Sequence, residues 1–336
     1  MDLLNAIVAL LNFVIIPATA YGAQLALGAL GVTLIYGILR FSNFAHGDTM
    51  AFGTGMVILV TWWMQGLGIH LGPLPTALLA LPFGIAITAA LVLATDKAVY
   101  RFYRKQKAAP VILVIVSMGV MFIMNGVTRF IIGVDEIRFD DGARFLINAG
   151  DFKKATGLAE GLAFRSTQAL TIVTAVIVVA LLFWFLNRTR TGKSMRAYSD
   201  NEDLALLSGI NPERVVAVTW IIAAGLATIA GTLYGLDKAF KAFNYFQLLL
   251  PIFAAAIVGG LGSPLGAIAG GFLIAFSEVG FTYAWKKVAT YVLPESLAPD
   301  GLAQLLSTDY KFAVSFAILI VVLLFKPTGL FKGKSV

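Results

Sequence analysis

No cysteine occurs in the 336 residues, which excludes disulfides and thiolate metal sites. Histidine is nearly missing too: His46 and His70 stand alone, too few for an all-protein zinc or iron site. Charge is scarce, at 13% of residues, where a soluble domain carries roughly a quarter. The net charge is +7, but most of the excess sits in three short loops, where it sets membrane orientation and does not imply nucleic acid. Asp2 is the only charged side chain in the opening stretch, so a basic secretory n-region is missing and the apolar start reads as mature protein. No acid and base stand with a plausible nucleophile, which leaves no case for membrane enzyme chemistry. What fills the chain instead is apolar: 59% hydrophobic, with a mean hydropathy of +0.87. Residues 1–336 therefore read as one all-α polytopic membrane domain.

Residues 2–16 are broken by Asn5 and Asn12 and followed by Pro17; they fit either an interfacial helix or a short tilted span. Clear apolar runs follow at residues 18–39, 49–69 and up to Thr95, then 108–128, 168–186 and 215–236. Behind the third run, Lys97, Arg101, Arg104, Lys105 and Lys107 outnumber Asp96, which predicts a cytoplasmic loop. The polar segment 133–167 balances acids against bases and is expected on the outer, periplasmic face. No charge appears across residues 246–277; one helix of that length would run to roughly 48 Å, against a hydrocarbon core of about 30 Å. The break is expected at Gly259-Gly260-Leu261-Gly262-Ser263-Pro264, after which Gly262, Gly266 and Gly270 align on one face. Ala227, Gly231 and Gly235 form a second small-residue ridge. A last span at 312–325 ends at Lys326 and Pro327, and Lys332 and Lys334 place the C-terminus inside. Alternation then puts every strongly basic loop on the cytoplasmic side with about nine crossings, in a range of eight to ten; Lys238 and Lys241 are a small basic excess left outside.

Residues 188–214 form the most informative of these loops. Arg188, Arg190, Lys193 and Arg196 place it in the cytoplasm. Ser199 and Glu202 have the spacing of a capping box, Leu204 and Leu207 fall on one face with Leu206 pointing away, and Gly209 is a stop signal. Asn211-Pro212 then starts the next helix. A capped helix with leucines on more than one side needs partners, either the protein's own surface or lipid headgroups. Thr191-Gly192-Lys193-Ser194 ends like a phosphate-binding loop, but Asn187 stands where that loop needs Gly, and an apolar membrane-length run precedes it where a strand is needed. ATP binding is not expected in this chain.

Two Gly-interrupted places, residues 43–55 and 259–271, lie at comparable distances from the two ends. Broken segments at matching positions mark a substrate path in many transporters, although close packing also uses such glycines. The candidates for a path are Asn43, His46 and Gly47 at the first break and Gly260, Gly262 and Ser263 at the second. Asp48 beside His46 also fits a solvated loop pair. Glu278 is a carboxylate inside an apolar run, either a functional group or one reaching headgroup water. Ser117 and Asn125, two turns apart on one span, suit a hydrogen bond to another helix as well as a solute.

Four blocks resemble the permeases of ATP-binding-cassette importers for branched-chain amino acids. They are Gly31, Thr33 to Gly37, Leu39 and Asn43 to Gly47; the R-T-x-x-G-x-x-x-R-A segment with Arg188, Thr189, Gly192, Arg196 and Ala197, followed by Glu202, Ala205 and Gly209-Ile210-Asn211; Gly259, Gly260, Gly262, Ser263, Gly266, Ala267, Gly270 and Gly271; and Lys326 to Phe331 with Gly333. The chain looks like the smaller of the two permease types, with the type II-like importer architecture. The resemblance implies a bacterial inner-membrane assembly with a second homologous permease, two ATPases that hold ATP and Mg, and a periplasmic substrate-binding protein. It makes residues 200–208 the coupling helix, with Arg196, Asp200, Glu202, Leu204, Leu206, Leu207 and Gly209 facing the ATPase. Residues 133–165 and 285–309 look longer than is usual for the family. Import of urea or short amides by the same family, or an ion-driven secondary transporter, are the competing readings; the latter would call for carboxylates on several spans.

Overall fold

The computed structural model describes residues 2–139, 141–292 and 301–331. Asp140, the tail residues Lys332, Gly333 and Lys334, and part of the 285–309 stretch therefore lie outside the described residues. The helices are α1 (Asp2–Leu39), α2 (His46–Gly66), α3 (Ala77–Lys105), α4 (Pro110–Ile132), α5 (Ala149–Thr156), α6 (Ser166–Arg188), α7 (Arg190–Asp200), α8 (Glu202–Leu207), α9 (Pro212–Lys238), α10 (Ala242–Gly259), α11 (Pro264–Thr282), α12 (Lys286–Val292) and α13 (Lys311–Phe325). Two short strands, β1 (Phe145–Ile147) and β2 (Phe164–Arg165), pair antiparallel in the 133–165 segment.

Eight helices among the described residues are long and apolar enough to cross a membrane. Helix α2 has 21 residues, long enough to cross at ~32 Å, but carries His46, Asp48, Thr49, Thr54 and Thr61 and lies mostly buried among the others. With it the long helices among the described residues number nine, close to the count expected from the apolar runs. Residues 2–16 form neither a separate span nor a separate interfacial helix. They extend α1 into one continuous helix of 38 residues, ~57 Å, through a π-turn at Leu11–Ile15 just before Pro17. The excess length leaves the bundle and rests on α12.

Helix α1 is the centre of the bundle and touches α6, α9, α10 and α11, while α2 fills the space between α3, α4, α9 and α10. Small residues make these approaches possible. A Cβ on Gly231 would lie 2.5 Å from Thr54 Oγ1, one on Gly270 would lie 2.0 Å from Ala255 O, and one on Gly271 would lie 2.6 Å from Ala26 N. The ridge at Gly231 and Gly235 thus becomes the α9–α2 contact, and Gly266 and Gly270 make the α11–α10 contact, while Gly262 precedes α11 and a Cβ there would meet nothing. The outer faces of α4, α6 and α13 expose Phe122, Val176 and Leu324, as a lipid-facing rim requires.

Contacts across the sequence sort the connections onto two ends. At the basic end, Arg40 Nη2 donates to Ser199 O at 2.6 Å, Arg101 pairs with Glu213 at 3.2 Å, and Leu330 N donates to Val258 O at 2.8 Å. At the opposite end, Ile137 and Phe240 form a backbone bridge, Ala143 N donates to Pro73 O at 2.7 Å, and Glu160 N donates to Asn5 Oδ1 at 3.2 Å. Among the described residues, the basic loops expected to share one face do so. The lysine at 238 that sat uneasily outside pairs with Asp237 at 3.2 Å.

Candidate transport path and coupling surface

The connection from α1 to α2 dips into the protein. Arg40 stops α1 in the left-handed region at φ 58°, and Phe41, Asn43 and Ala45 are all buried. Tyr100 supports the turn from below: its ring lies 5.5 Å from Phe41 and 5.2 Å from Trp220, and its hydroxyl donates to Asn43 Oδ1 at 3.3 Å. The same Asn43 oxygen accepts from Ala45 N at 3.1 Å. Ser117 Oγ accepts from Phe44 N at 3.1 Å and donates to Val114 O, so it holds the turn against α4.

His46 and Asp48 therefore start α2 inside the bundle, at 1% and 0% exposure. They are not a solvated loop pair. The imidazole sits against Gly31, where a Cβ would come within 2.5 Å of its Cε1. Asn125 Nδ2 donates to Asp48 Oδ1 at 2.6 Å, while Asp48 Oδ2 and His46 Nε2 find no hydrogen-bond partner among the described residues. Gly47 packs against α10, with a Cβ position 2.7 Å from Tyr245 O. Asn43 and Ser117 thus hold the turn itself, His46 and Asp48 follow it into the bundle against α1 and the half-buried Asn125 of α4, and Gly47 packs against α10.

The other candidates stand apart. Gly260 and Gly262 adopt φ 113° and 84°, backbone that favours glycine. Ser263 caps α11 by accepting from Gly266 N at 3.2 Å. This break lies at the basic end, where Phe331 N donates to Gly259 O at 3.0 Å and the Gly329 Cβ position falls 2.6 Å from Gly260 Cα. The C-terminal block and the Gly-rich block are therefore one local structure. Glu278 is near the other end of α11, 1% exposed, and accepts from Ser315 Oγ of α13. That short bond ties α13 to the core; it does not reach His46.

At the basic end the 188–214 segment is two helices. Thr189 caps α7, accepting from Gly192 N at 3.0 Å, and a Gly192 Cβ would lie 2.2 Å from Phe185 O. A helix, not a strand, precedes this turn, and its glycine N–H is already taken, so the Thr-Gly-Lys-Ser run does not fit a phosphate cradle. The expected capping box fails: Asn201, not Ser199, caps α8 by accepting from Leu204 N at 3.0 Å. Ser199 Oγ instead donates to Gly37 O at 3.0 Å, and Glu202 accepts from Tyr198 Oη at 2.5 Å. Burial, with the bond to Glu202, pushes the Tyr198 phenol above its ordinary value. Asn and Ser are both good caps, and the bond to α1 decides between them.

Helix α8 buries only Ala205 and exposes Leu204, Leu206 and Leu207 at 61%, 42% and 85%. Gly209 ends it at φ 79°, its N–H bonded to Leu206 O. Arg196 and Asp200 are exposed on α7 beside it. Sequence reasoning missed the residues beneath: Asp96 accepts from Trp220 Nε1 at 2.7 Å and from Arg104, whose Nη2 also lies 3.9 Å from Glu213. A lone Asp at the start of a basic loop gave no signal of this.

The family model described as branched-chain amino acid transport system / permease component matches residues 14–323. The chain is 30% identical over 314 residues to the high-affinity branched-chain amino acid transport system permease protein LivH of Escherichia coli (strain K12), covering 92% of this chain and 91% of that one. It is 28% identical over 312 residues to the corresponding permease protein BraD of Pseudomonas aeruginosa, covering 92% of each. A probable LivH of Methanocaldococcus jannaschii is 27% identical over 314 residues, covering 93% of this chain and 90% of that one. The matched region runs through the buried α1–α2 turn, both helices of the basic loop and the Gly break, and the chain belongs to the family of branched-chain amino acid transport permease components.

Proposed function

We propose that this permease works in an ATP-driven importer of branched-chain and other hydrophobic neutral amino acids, with its basic end and C-terminus facing the cytoplasm of a bacterial inner membrane. Its neighbours are a second homologous permease, two ATPase subunits that hold ATP and Mg, and a periplasmic substrate-binding protein. Helix α8 docks on an ATPase and passes its motion to the bundle, where the polar groups at Asn43, His46, Asp48 and Asn125 change their access to the two sides. Energy enters because the ATPase binds the two states of the permease differently.

One observation carries the reading: α8 turns three leucines outward on a helix capped at both ends, directly after an α7 that is fastened to α1 through Ser199 and Gly37. The lack of native cysteine makes the test direct. Leu207→Cys in the assembled complex is expected to crosslink to an ATPase subunit, and Leu207→Asp is expected to leave insertion intact while uptake and substrate-stimulated ATP hydrolysis are lost. A Leu207→Cys probe that reaches lipid alone, with uptake normal in Leu207→Asp, would sink it. The ligand held by the cognate binding protein tests the substrate: urea or a short amide there would replace amino acids and leave the permease role unchanged.

A further inference from the structure

A cavity of about 530 Å³ opens at the end opposite the basic loops. Its walls are the end of α9, residues 138–139 and 141–144, the start of α6 and Pro75. The loop is fixed over the cavity by two bonds, Ala143 N to Pro73 O at 2.7 Å and Thr76 N to Asp141 Oδ2 at 2.7 Å. Beneath it Gly235 packs closely, where a Cβ would lie 3.0 Å from Tyr245 Oη and 3.3 Å from both the Phe139 ring and the Thr54 methyl, and Phe139 and Leu236 give the cavity its apolar side.

Both signs of charge line this space, Asp141 and Asp237 against Arg138, Arg144, Arg165 and Lys238. Asp237 is a carboxylate whose side chain is 5% exposed; it faces Lys238 Nζ at 3.2 Å and Arg165 Nη1 at 3.9 Å, and its Oδ1 accepts no hydrogen bond among the described residues. It therefore holds two half-exposed cations at the cavity wall with donors to spare. Asp141 uses Oδ2 on Thr76, while Oδ1 is buried without a hydrogen-bond partner. Asp141 itself lines the cavity; a buried carboxylate oxygen without a donor is costly, and a side-chain rotation that turns Oδ1 to the cavity wall would let a ligand ammonium supply one.

We propose that this cavity is an outer vestibule that receives the zwitterionic head of a neutral α-amino acid. Asp141 takes the ammonium, Arg165 and Lys238 take the carboxylate, Asp237 positions those two cations, and the side chain lies toward Phe139 and Leu236. The site rests on the importer reading and adds to it a selection step within the permease itself. An amide without a carboxylate would leave Arg165 and Lys238 unanswered.

This chain has no cysteine of its own, so labelling is read on the isolated permease band of an importer whose other subunits carry their own thiols. Ala143→Cys, exposed on the cavity wall, is labelled in the whole importer in lipid nanodiscs with a cationic methanethiosulfonate. L-leucine, isoamylamine (no carboxylate) and 4-methylpentanoate (no ammonium) are titrated to saturation. Leucine at about nine times its Kd should slow labelling about tenfold by simple one-site occupancy; the two single-headed analogues should not. Asp141→Asn keeps an acceptor for Thr76 N and loses the charge, and Arg165→Gln loses the cation; each should remove protection, read as the ratio of that variant's own labelling rates with and without leucine. Protection by isoamylamine equal to that by leucine would overturn the site, and so would protection that appears only with the binding protein present and ignores leucine. Leucine uptake by the same assembly in vesicles separates the two readings. Uptake without protection overturns the vestibule site alone; absent uptake together with absent protection overturns the substrate assignment and the site with it.

Discussion

Trp220 donates its indole N–H to Asp96 Oδ1 at 2.7 Å, joining α9 to the last turns of α3 across 124 positions of sequence. The same carboxylate takes Arg104, and the Trp220 ring stacks on the Tyr100 that supports Asn43. One buried acid thus holds together the floor beneath the α1–α2 turn. Trp220→Phe keeps the stacked ring and removes the donor, so it should cost about 1.5–3 kcal/mol, the worth of a hydrogen bond to a charged group. Thermal unfolding of the purified permease in detergent measures this, and an unchanged melting temperature would show that the bond contributes nothing.

The α10–α11 crossing gives a sharper contrast. A methyl on Gly270 would sit 2.0 Å from the Ala255 carbonyl oxygen, backbone that cannot move aside, whereas one on Gly119 of α4 meets nothing within 4 Å. Gly270→Ala should therefore destabilise by about 1–3 kcal/mol or more through overpacking. Gly119→Ala should be neutral or stabilise by up to about 1 kcal/mol, because alanine is the better helix former. The same melting assay reads both, and equal effects would refute the packing argument.

These contacts show what the sequence made legible. Apolar run lengths located every crossing, and the 246–277 stretch could not be one helix, so Pro264 and its glycines had to break it. The link between the Gly259 block and the C-terminal block was invisible, because it is made by backbone bonds such as Leu330 N to Val258 O that any residues could form. His46 and Asp48 follow Arg40 closely and so read as a surface pair; Tyr100, Trp220 and Ser117, distant in sequence, draw that turn inside. The extension of α1 beyond the bundle depends on α12 and on Glu160 reaching Asn5, and local pattern carries neither. The zwitterion vestibule was hidden for the same reason, since Asp141, Arg165 and Asp237 meet only after folding.

Gly209 tests the coupling helix by conformation alone. Its φ is +79° and a Cβ there would touch nothing, so any effect of substitution comes from the backbone. Gly209→Val should cost about 1–2 kcal/mol locally and lower substrate-stimulated ATP hydrolysis in the assembled importer, whereas Gly209→Asn, which tolerates the left-handed region, should retain it. Glu202→Lys should uncouple by another route, since it loses the bond from Tyr198 and places a cation in the first turn of α8. Normal uptake in both Gly209→Val and Glu202→Lys would remove α8 from the mechanism.

Glu160 makes the outer end sensitive to acid. Its carboxylate accepts from Tyr291 Oη at 2.8 Å and pairs with Lys287 Nζ at 2.7 Å, both on α12, while its backbone N–H binds Asn5 on the extension of α1. Burial pushes the carboxyl up, but the bonds from Lys287 and Tyr291 outweigh it and hold Glu160 below its ordinary value. A group depressed on folding stabilises fully above its unfolded pKa, and that contribution is lost as pH falls through the folded one. The joint between α1, the 157–163 loop and α12 should therefore be intact at neutral pH and loosen from the ordinary glutamate range, about 4.3, downward. Trp285, bonded to Gly280 O at 2.9 Å and packed on Tyr283 beside this joint, reports it by fluorescence. Glu160→Gln should resemble the acid state already at neutral pH and show no further change in that window; an acid transition of unchanged size in Glu160→Gln would assign it to another group.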